Sequence, residues 1–216
     1  MNIHTVYRIF QNFFRRRRMK DFLRTFHPHA NTRILDVGGG VYNWTLIGCE
    51  SLITVLNIRD SPDLGVAPAN FTFVKGDGTK LSYPNASFDV AHSNSVIEHL
   101  HSYENQRRFA HVTMRVGRGV WVQTPARWFF MEPHLLTPFI HYLPKRWQRR
   151  LIRNFTVWGL LTRPPGWKVS DFLDEVRLLT YDDMKRLFPG CEIRRERFLL
   201  FTKSYIAVRP VYESDT

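Results

Sequence analysis

The chain has 216 residues, 44% hydrophobic and 23% charged, enough for one domain whose core needs neither disulfides nor metals. That balance excludes wholesale disorder and a fibrous repeat. The net charge of +12 calls for an anionic partner: a nucleic acid, an acidic membrane surface or a negatively charged small substrate.

The charge is concentrated in two segments. Residues 1–33 carry eight basic side chains, among them Arg15, Arg16, Arg17 and Arg18, against the single acid Asp21. Residues 125–168 carry eight, including Arg127, Lys145, Arg149 and Arg153, against Glu132. Cys49 and Cys191 are the only cysteines, and neither has a partner at metal-ligand spacing, so no metal site is expected and a reduced, cytoplasmic compartment fits. The chain contains no apolar run of about 18 residues, the length a membrane span requires. Its start lacks the apolar core of a secretory signal, although its arginine-rich character leaves an organelle transit peptide as an alternative.

In chain order, Thr5 to Phe26 spaces Tyr7, Phe10, Phe14, Phe22, Leu23 and Phe26 at helical intervals around the arginine run, which predicts a basic amphipathic helix or helix pair ending before Pro28. This is the expected N-terminal arm, residues 1–29. Residues 30–210 form the expected main domain. It opens with the buried strand Arg33-Ile34-Leu35-Asp36-Val37, closed by Gly38, Gly39 and Gly40, and a helical stretch to about Gly48. Leu52 to Ile58 reads as a second strand, followed by the breakers Ser61-Pro62-Asp63. Phe71 to Val74 is a third, ended by Gly76-Asp77-Gly78. Phe88 to Ser93 and Gly119 to Thr124 are the fourth and fifth, with a helix over about Tyr103 to Val116 between them.

This alternation predicts an α/β fold, a Rossmann-like, doubly wound and mostly parallel sheet of about seven strands with helices on both faces. An insertion at about residues 125–178, rich in aromatic, proline and basic side chains, interrupts it. Thr180 with Asp183 three positions later opens a capped helix through Leu187. Cys191 to Phe201 and Lys203 to Val208 then pair as an antiparallel hairpin, leaving a tail at 211–216.

The Asp36-to-Gly40 turn stands at the carboxyl end of the first strand, where open α/β sheets bind nucleotides, and its glycines admit a ligand too close for a Cβ. Asp36 can take the ammonium of an amino acid through charge-assisted hydrogen bonds, a carboxylate that a phosphate-binding turn would not want. About 20 residues on, where an acid normally bonds ribose hydroxyls, stands Asn57, followed by Ile58; the amide can accept a hydroxyl and also donate. Asp77 with Gly78 can meet an exocyclic amine, and Ser93 with Asn94 offers polar contacts at the same strand ends. Each also has a structural reading, Asp36 bonding nearby backbone and Asn57 ending a strand; it is their joint order at successive strand ends that favours a ligand site.

The run Arg33 to Gly40, then Gly76-Asp77-Gly78, then Ser87-Phe88-Asp89-Val90, then Val96-Ile97-Glu98-His99-Leu100 resembles the class I S-adenosylmethionine-dependent methyltransferases, in the branch acting mainly on small molecules and lipids. The resemblance covers about residues 30–125 by motif and 180–209 by topology. It implies S-adenosyl-L-methionine as cofactor, with Asp36 on the methionine amino group, Gly38 and Gly40, with Gly39 between them, along the methionyl region, Asn57 on the ribose, Asp77 on the adenine amine and Asn94 on the floor. Two positions depart from the pattern: Asn57 replaces the usual acid, and Tyr42 stands where many members have a further glycine.

For the acceptor side, Glu98-His99 follows the fourth strand and Glu132-Pro133-His134 lies in the insertion. His134 is the first candidate for a general base and His99 the second. The expected activity is methyl transfer to an anionic or lipid-linked small molecule. The basic aromatic insertion either rests on an anionic membrane surface or packs as a cap with a solvated face. The alternatives are an RNA methyltransferase, which the charge alone supports, and a non-catalytic binding module of the same fold.

Overall fold

The computed structural model describes residues 3–60, 67–132 and 134–211, with side chains from Asn12 onward. The breakers Ser61-Pro62-Asp63, together with Pro133 and nearly all of the tail, lie outside the described residues.

The first helix, α1, is continuous over Ile3–Phe26. Among its described side chains, Phe14, Arg18, Met19 and Phe22 are buried, spaced so that they share one stripe of a 3.6-residue helix. It ends where His27 adopts a left-handed φ of 42°, immediately before Pro28, which cannot continue a helix. The strand β1 (Arg33–Val37) is buried at every position after the first, as a central parallel strand must be. The helix α2 (Val41–Thr45) is shorter than the sequence suggests, because Gly48 turns the chain with a φ of 59°.

Strands β2 (Leu52–Asn57), β3 (Phe71–Lys75) and β4 (Phe88–Asn94) follow, then α3 (Tyr103–Val116) and β5 (Gly117–Pro125). In the insertion, β6 (Met131–Glu132) pairs antiparallel with β7 (Thr137–Pro138). The helices α4 (Lys145–Phe155), α5 (Val157–Thr162) and α6 (Gly166–Glu175) come next. The chain continues through α7 (Tyr181–Leu187), β8 (Glu192–Phe198) and β9 (Phe201–Arg209). At the start of α7 the predicted capping box is present: Thr180 Oγ1 accepts from the Asp183 backbone N–H at 3.1 Å, and Asp183 accepts from the Thr180 N–H at 3.0 Å. Two residues join β8 to β9, and Leu199 takes a left-handed φ of 53° there; so short a link allows only antiparallel pairing.

The seven longer strands form one sheet in the order β3-β2-β1-β4-β5-β9-β8, parallel over most of its width with an antiparallel end. Asp36 on β1 stands opposite Val55 on β2 and His92 on β4. The chain divides into two compact units. The first comprises residues 1–94, 109–122 and 208–216. There the Phe22 ring meets Trp44, His92 and Trp121 edge-on at 5.4, 5.5 and 5.7 Å, so the second half of α1 packs into the core of this unit.

The second unit comprises residues 95–108 and 123–207. The insertion has its own core of Leu135, Ile140, Ile152, Val169 and Leu173. Helix α4 buries only Gln148 and Ile152, one helical turn apart, which leaves Trp147 and Phe155 exposed among its arginines. The corner into α5 depends on Gly159, whose added Cβ would stand 1.9 Å from the Ile152 carbonyl oxygen.

Candidate functional site

The turn after β1 is built on an inward-facing carboxylate. Asp36 is fully buried. Its Oδ2 accepts from Trp44 Nε1 at 2.8 Å and its Oδ1 lies 2.7 Å from His92 Nδ1. The β1–β4 register causes the second contact, since it places the two residues side by side. Where the resemblance implies a direct contact with a ligand ammonium, both oxygens of Asp36 are engaged inside the core, because α2 brings an indole and β4 an imidazole to them. Its physical part is to brace the turn from beneath. A Cβ on Gly39 would stand 1.8 Å from Asp36 Oδ2, so Gly39 is glycine because the carboxylate packs directly against its backbone.

Gly38 takes a φ of 73° and its N–H donates to the Leu56 carbonyl at 2.7 Å. Gly40 is extended and opens α2. All three glycines are half-exposed. From β2, Asn57 Nδ2 donates to the Gly39 carbonyl at 2.8 Å, which fixes the turn and makes Oδ1 the atom able to accept a hydroxyl. Ile58 is 71% exposed just past the strand. Asp77 Oδ1 accepts from both the backbone and the hydroxyl of Thr79 at 2.8 Å. Burial pushes the Asp77 carboxyl up, but the Thr79 contacts and Lys80 outweigh it and hold it below the usual carboxylate range. Gly78 backs onto Val37 and Phe109, which a Cβ would reach at 2.7 and 3.2 Å.

At the end of β4, Ser93 turns inward and donates to the Val37 carbonyl at 2.9 Å; it is fully buried and belongs to the strand packing. Asn94 is half-buried, and its Oδ1 accepts from the Arg18 guanidinium on α1. Tyr42, the departure from the glycine pattern, donates its hydroxyl to Asn12 Oδ1 at 2.8 Å, with Arg15 over its ring. Helix α1 therefore supplies polar groups to the strand ends, with the nearly buried Arg18 as the cation among them.

The second unit assembles a different cluster. His99 ends a single 3-10 turn, Ile97–His99, after β4. Its Nδ1 lies 2.9 Å from Glu175 Oε1. His134 Nδ1 lies 2.8 Å from Glu132 Oε1, and the two imidazole rings meet edge-on at 4.9 Å. Glu98 is fully buried, and its Oε2 accepts from the Thr124 hydroxyl at 3.0 Å. Burial and the neighbouring His134 push His99 below its ordinary value despite the nearby carboxylates. In His134 burial acts the same way, but the Glu132 hydrogen bond and the charges of Glu132, Glu98 and Glu175 outweigh it and raise the pKa. Within the same unit a cavity of about 460 Å³ is lined by Arg127, Lys145 and Arg177 together with Trp128, Tyr142 and Leu173, a size suited to a small molecule.

The sequence of residues 35–118 matches the family described as methyltransferase domain. The match spans less than half of the chain, which over that segment is similar to the class I methyltransferases. Solved structures agree in fold. Magnesium protoporphyrin IX methyltransferase from Synechocystis, with bound S-adenosylhomocysteine, is 14% identical with a TM-score of 0.58, over 97% of this chain and 88% of that one. The 1,6-didemethyltoxoflavin-N1-methyltransferase of Burkholderia thailandensis is 12% identical with a TM-score of 0.54, over 95% and 81%. For a protein of an antibiotic biosynthesis pathway in Anabaena variabilis the values are 14% and 0.53, and this chain spans 64% of its length. No curated protein matches by sequence.

Three features of the two units are not legible in the sequence. The arginine run does not indicate that Arg18 alone turns inward to Asn94; only its place on the stripe of Phe14 and Phe22 hints at it. The cavity draws on residues scattered from Arg127 to Leu178. Glu175 has no local motif at all.

Proposed function

We propose that the chain binds S-adenosylmethionine at the turn between β1 and α2 and methylates a small-molecule acceptor. The observation that carries this reading is the turn itself: three consecutive glycines at the carboxyl end of the first strand, braced by Asp36 beneath and Asn57 beside them. The donor supplies a methyl group on a sulfonium, an electrophile that needs positioning more than activation. The residues present fit it. Gly38 to Gly40 admit its methionyl part, Asn57 Oδ1 accepts from a ribose hydroxyl, and Asp77 meets the adenine amine. Arg18 and Asn94 give a cationic, hydrogen-bonding contact for its carboxylate. Asp36, buried beneath the turn, acts through the backbone. If the acceptor must lose a proton, His134 is the base, oriented by Glu132, with His99 beside it.

The acceptor in this proposal is anionic or lipid-linked. Supporting it are the cations of the cavity and the exposed apolar side chains of the insertion, Trp147 and Phe155 on the arginine-rich α4, Leu160 and Leu161 on α5 and Trp167 on α6. Aromatic and basic side chains mixed in this way suit a helix at an anionic interface. Among the described residues no helix is long and apolar enough to cross a membrane, so contact would be peripheral.

Calorimetry with S-adenosylhomocysteine tests the donor site, and absence of binding by the folded protein would refute it. Co-sedimentation tests the acceptor surface. Vesicles containing phosphatidylglycerol are expected to carry the protein down, phosphatidylcholine vesicles are not, and Trp147→Ala with Phe155→Ala should abolish the association. Sedimentation with RNA alone would make the acceptor a nucleic acid.

A further inference from the structure

We propose that Glu98, His99 and His134 form a binding site for one divalent transition-metal ion of the Zn²⁺, Co²⁺, Mn²⁺ or Fe²⁺ type. Each residue offers one ligand atom, and these atoms lie within 4.8 Å of one another. Ligands about 2.1 Å from a common tetrahedral ion stand about 3.4 Å apart, so side-chain rotations that draw the atoms together by roughly an ångström close the site.

The surroundings are those that metal-binding histidines require. A ligating imidazole is normally fixed by a carboxylate on its other nitrogen, which sets the ring orientation and strengthens the ligand. Both histidines have this arrangement: Glu175 holds His99 Nδ1 at 2.9 Å and Glu132 holds His134 Nδ1 at 2.8 Å, so Nε2 is the nitrogen that would ligate in each. Glu132 is itself fixed by the Leu135 N–H at 2.5 Å, and Glu98 by the Thr124 hydroxyl. Three carboxylates thus surround two imidazoles, and Glu98 and Glu132 are at most 2% exposed. Buried carboxylates need compensating charge. A dication bound among them would add to the compensation that the two imidazoles already offer.

Two histidines and one carboxylate leave positions for water or an oxygen ligand, the pattern of open zinc and non-haem iron sites and not of closed structural ones. The expectation of no metal rested on the two cysteines, whereas these ligands are gathered from two separate segments. The site goes beyond the donor-binding proposal. With metal bound, His134 is a ligand, and the ion takes over the contact with the acceptor proposed above for a free imidazole.

The test is metal titration of the full chain, free of any affinity tag and stripped with chelator. Co²⁺ should bind one per chain, give a visible ligand-field absorption and be displaced by Zn²⁺. Glu98→Gln, His99→Ala and His134→Ala should each weaken binding more than 100-fold, with circular dichroism confirming the fold. His99→Asn and His134→Gln serve where an alanine variant does not fold. Glu175→Gln, which removes only an outer partner, should cost about 10- to 100-fold. His111→Ala, at an exposed helix position, should change nothing. Absence of stoichiometric binding, or equal binding by folded His134 variants, would overturn the proposal. S-adenosylhomocysteine calorimetry on the same preparation keeps the two readings apart: donor binding without metal refutes this site alone, and metal binding without donor refutes the donor site alone.

Discussion

Gly39→Ala puts the geometry of the turn to the test. The new Cβ would be placed 1.8 Å from Asp36 Oδ2, 2.1 Å from its Cγ and 2.3 Å from Oδ1, far inside contact distance, so something must move. If the carboxylate rotates, it gives up Trp44 Nε1 and His92 Nδ1. If the backbone lifts, the bond from Asn57 Nδ2 to the Gly39 carbonyl is lost. A buried polar group left without its partner costs about 1–3 kcal/mol, and overpacking costs about 1–3 kcal/mol more. A loss of about 3 kcal/mol corresponds to a fall in Tm of about 6–12 °C in a chain of this size. Because the displaced atoms are those that shape the donor turn, affinity for S-adenosylhomocysteine should fall at least tenfold, about 1.4 kcal/mol. Differential scanning calorimetry and isothermal titration read the two quantities. Gly166→Ala is the control, since its Cβ would meet nothing within 4 Å. A Gly39→Ala protein with unchanged Tm and affinity would show that Asp36 does not pack beneath the turn.

Asn57→Asp, although it installs the acid usual at this position, should weaken donor affinity about fivefold to tenfold by calorimetry. It sets a carboxylate oxygen 2.8 Å from the Gly39 carbonyl in place of a donor, and tighter binding would refute the bracing role. Asp183→Ala should cost about 1–2 kcal/mol in urea unfolding at neutral pH through loss of the α7 cap. Burial raises the Asp183 pKa, but the Thr180 backbone and hydroxyl, Arg186 and Arg177 outweigh it and hold it below the value usual for a carboxylate. The carboxylate's contribution is therefore present above that value and lost as pH falls below it, so the gap between wild type and variant should narrow in acid; a gap independent of pH would refute the assignment. Gly159→Ala should lower stability by about 2 kcal/mol or more through collision with the Ile152 carbonyl, and a thermal shift within experimental error would mean that α4 and α5 do not meet so closely.

The sequence determined the features that depend on neighbours along the chain. Runs such as Ile34–Val37 and Ile53–Leu56 are strands because their side chains are nearly all buried in the sheet. Thr180 and Asp183 mark a helix start because both bonds of the capping box close within one turn. The shortness of the link between the last two strands sets their pairing antiparallel, although the chain turns at Leu199 and Leu200 and not at Thr202 as the sequence suggests. The glycine turn and its likeness to class I methyltransferases are legible for the same reason. Tertiary structure decided where polar side chains point. Asp36 reads from its spacing as a ligand contact, yet the register of β1 against β4 gives it His92, and α2 gives it Trp44. Arg18 is one of four consecutive arginines until the packing of Phe14 and Phe22 selects it. Glu98, His99, His134 and Glu175 come from segments that only the folded chain gathers. A buried polar group must find its partner wherever the fold provides one, and no local pattern specifies that partner when it lies many residues away.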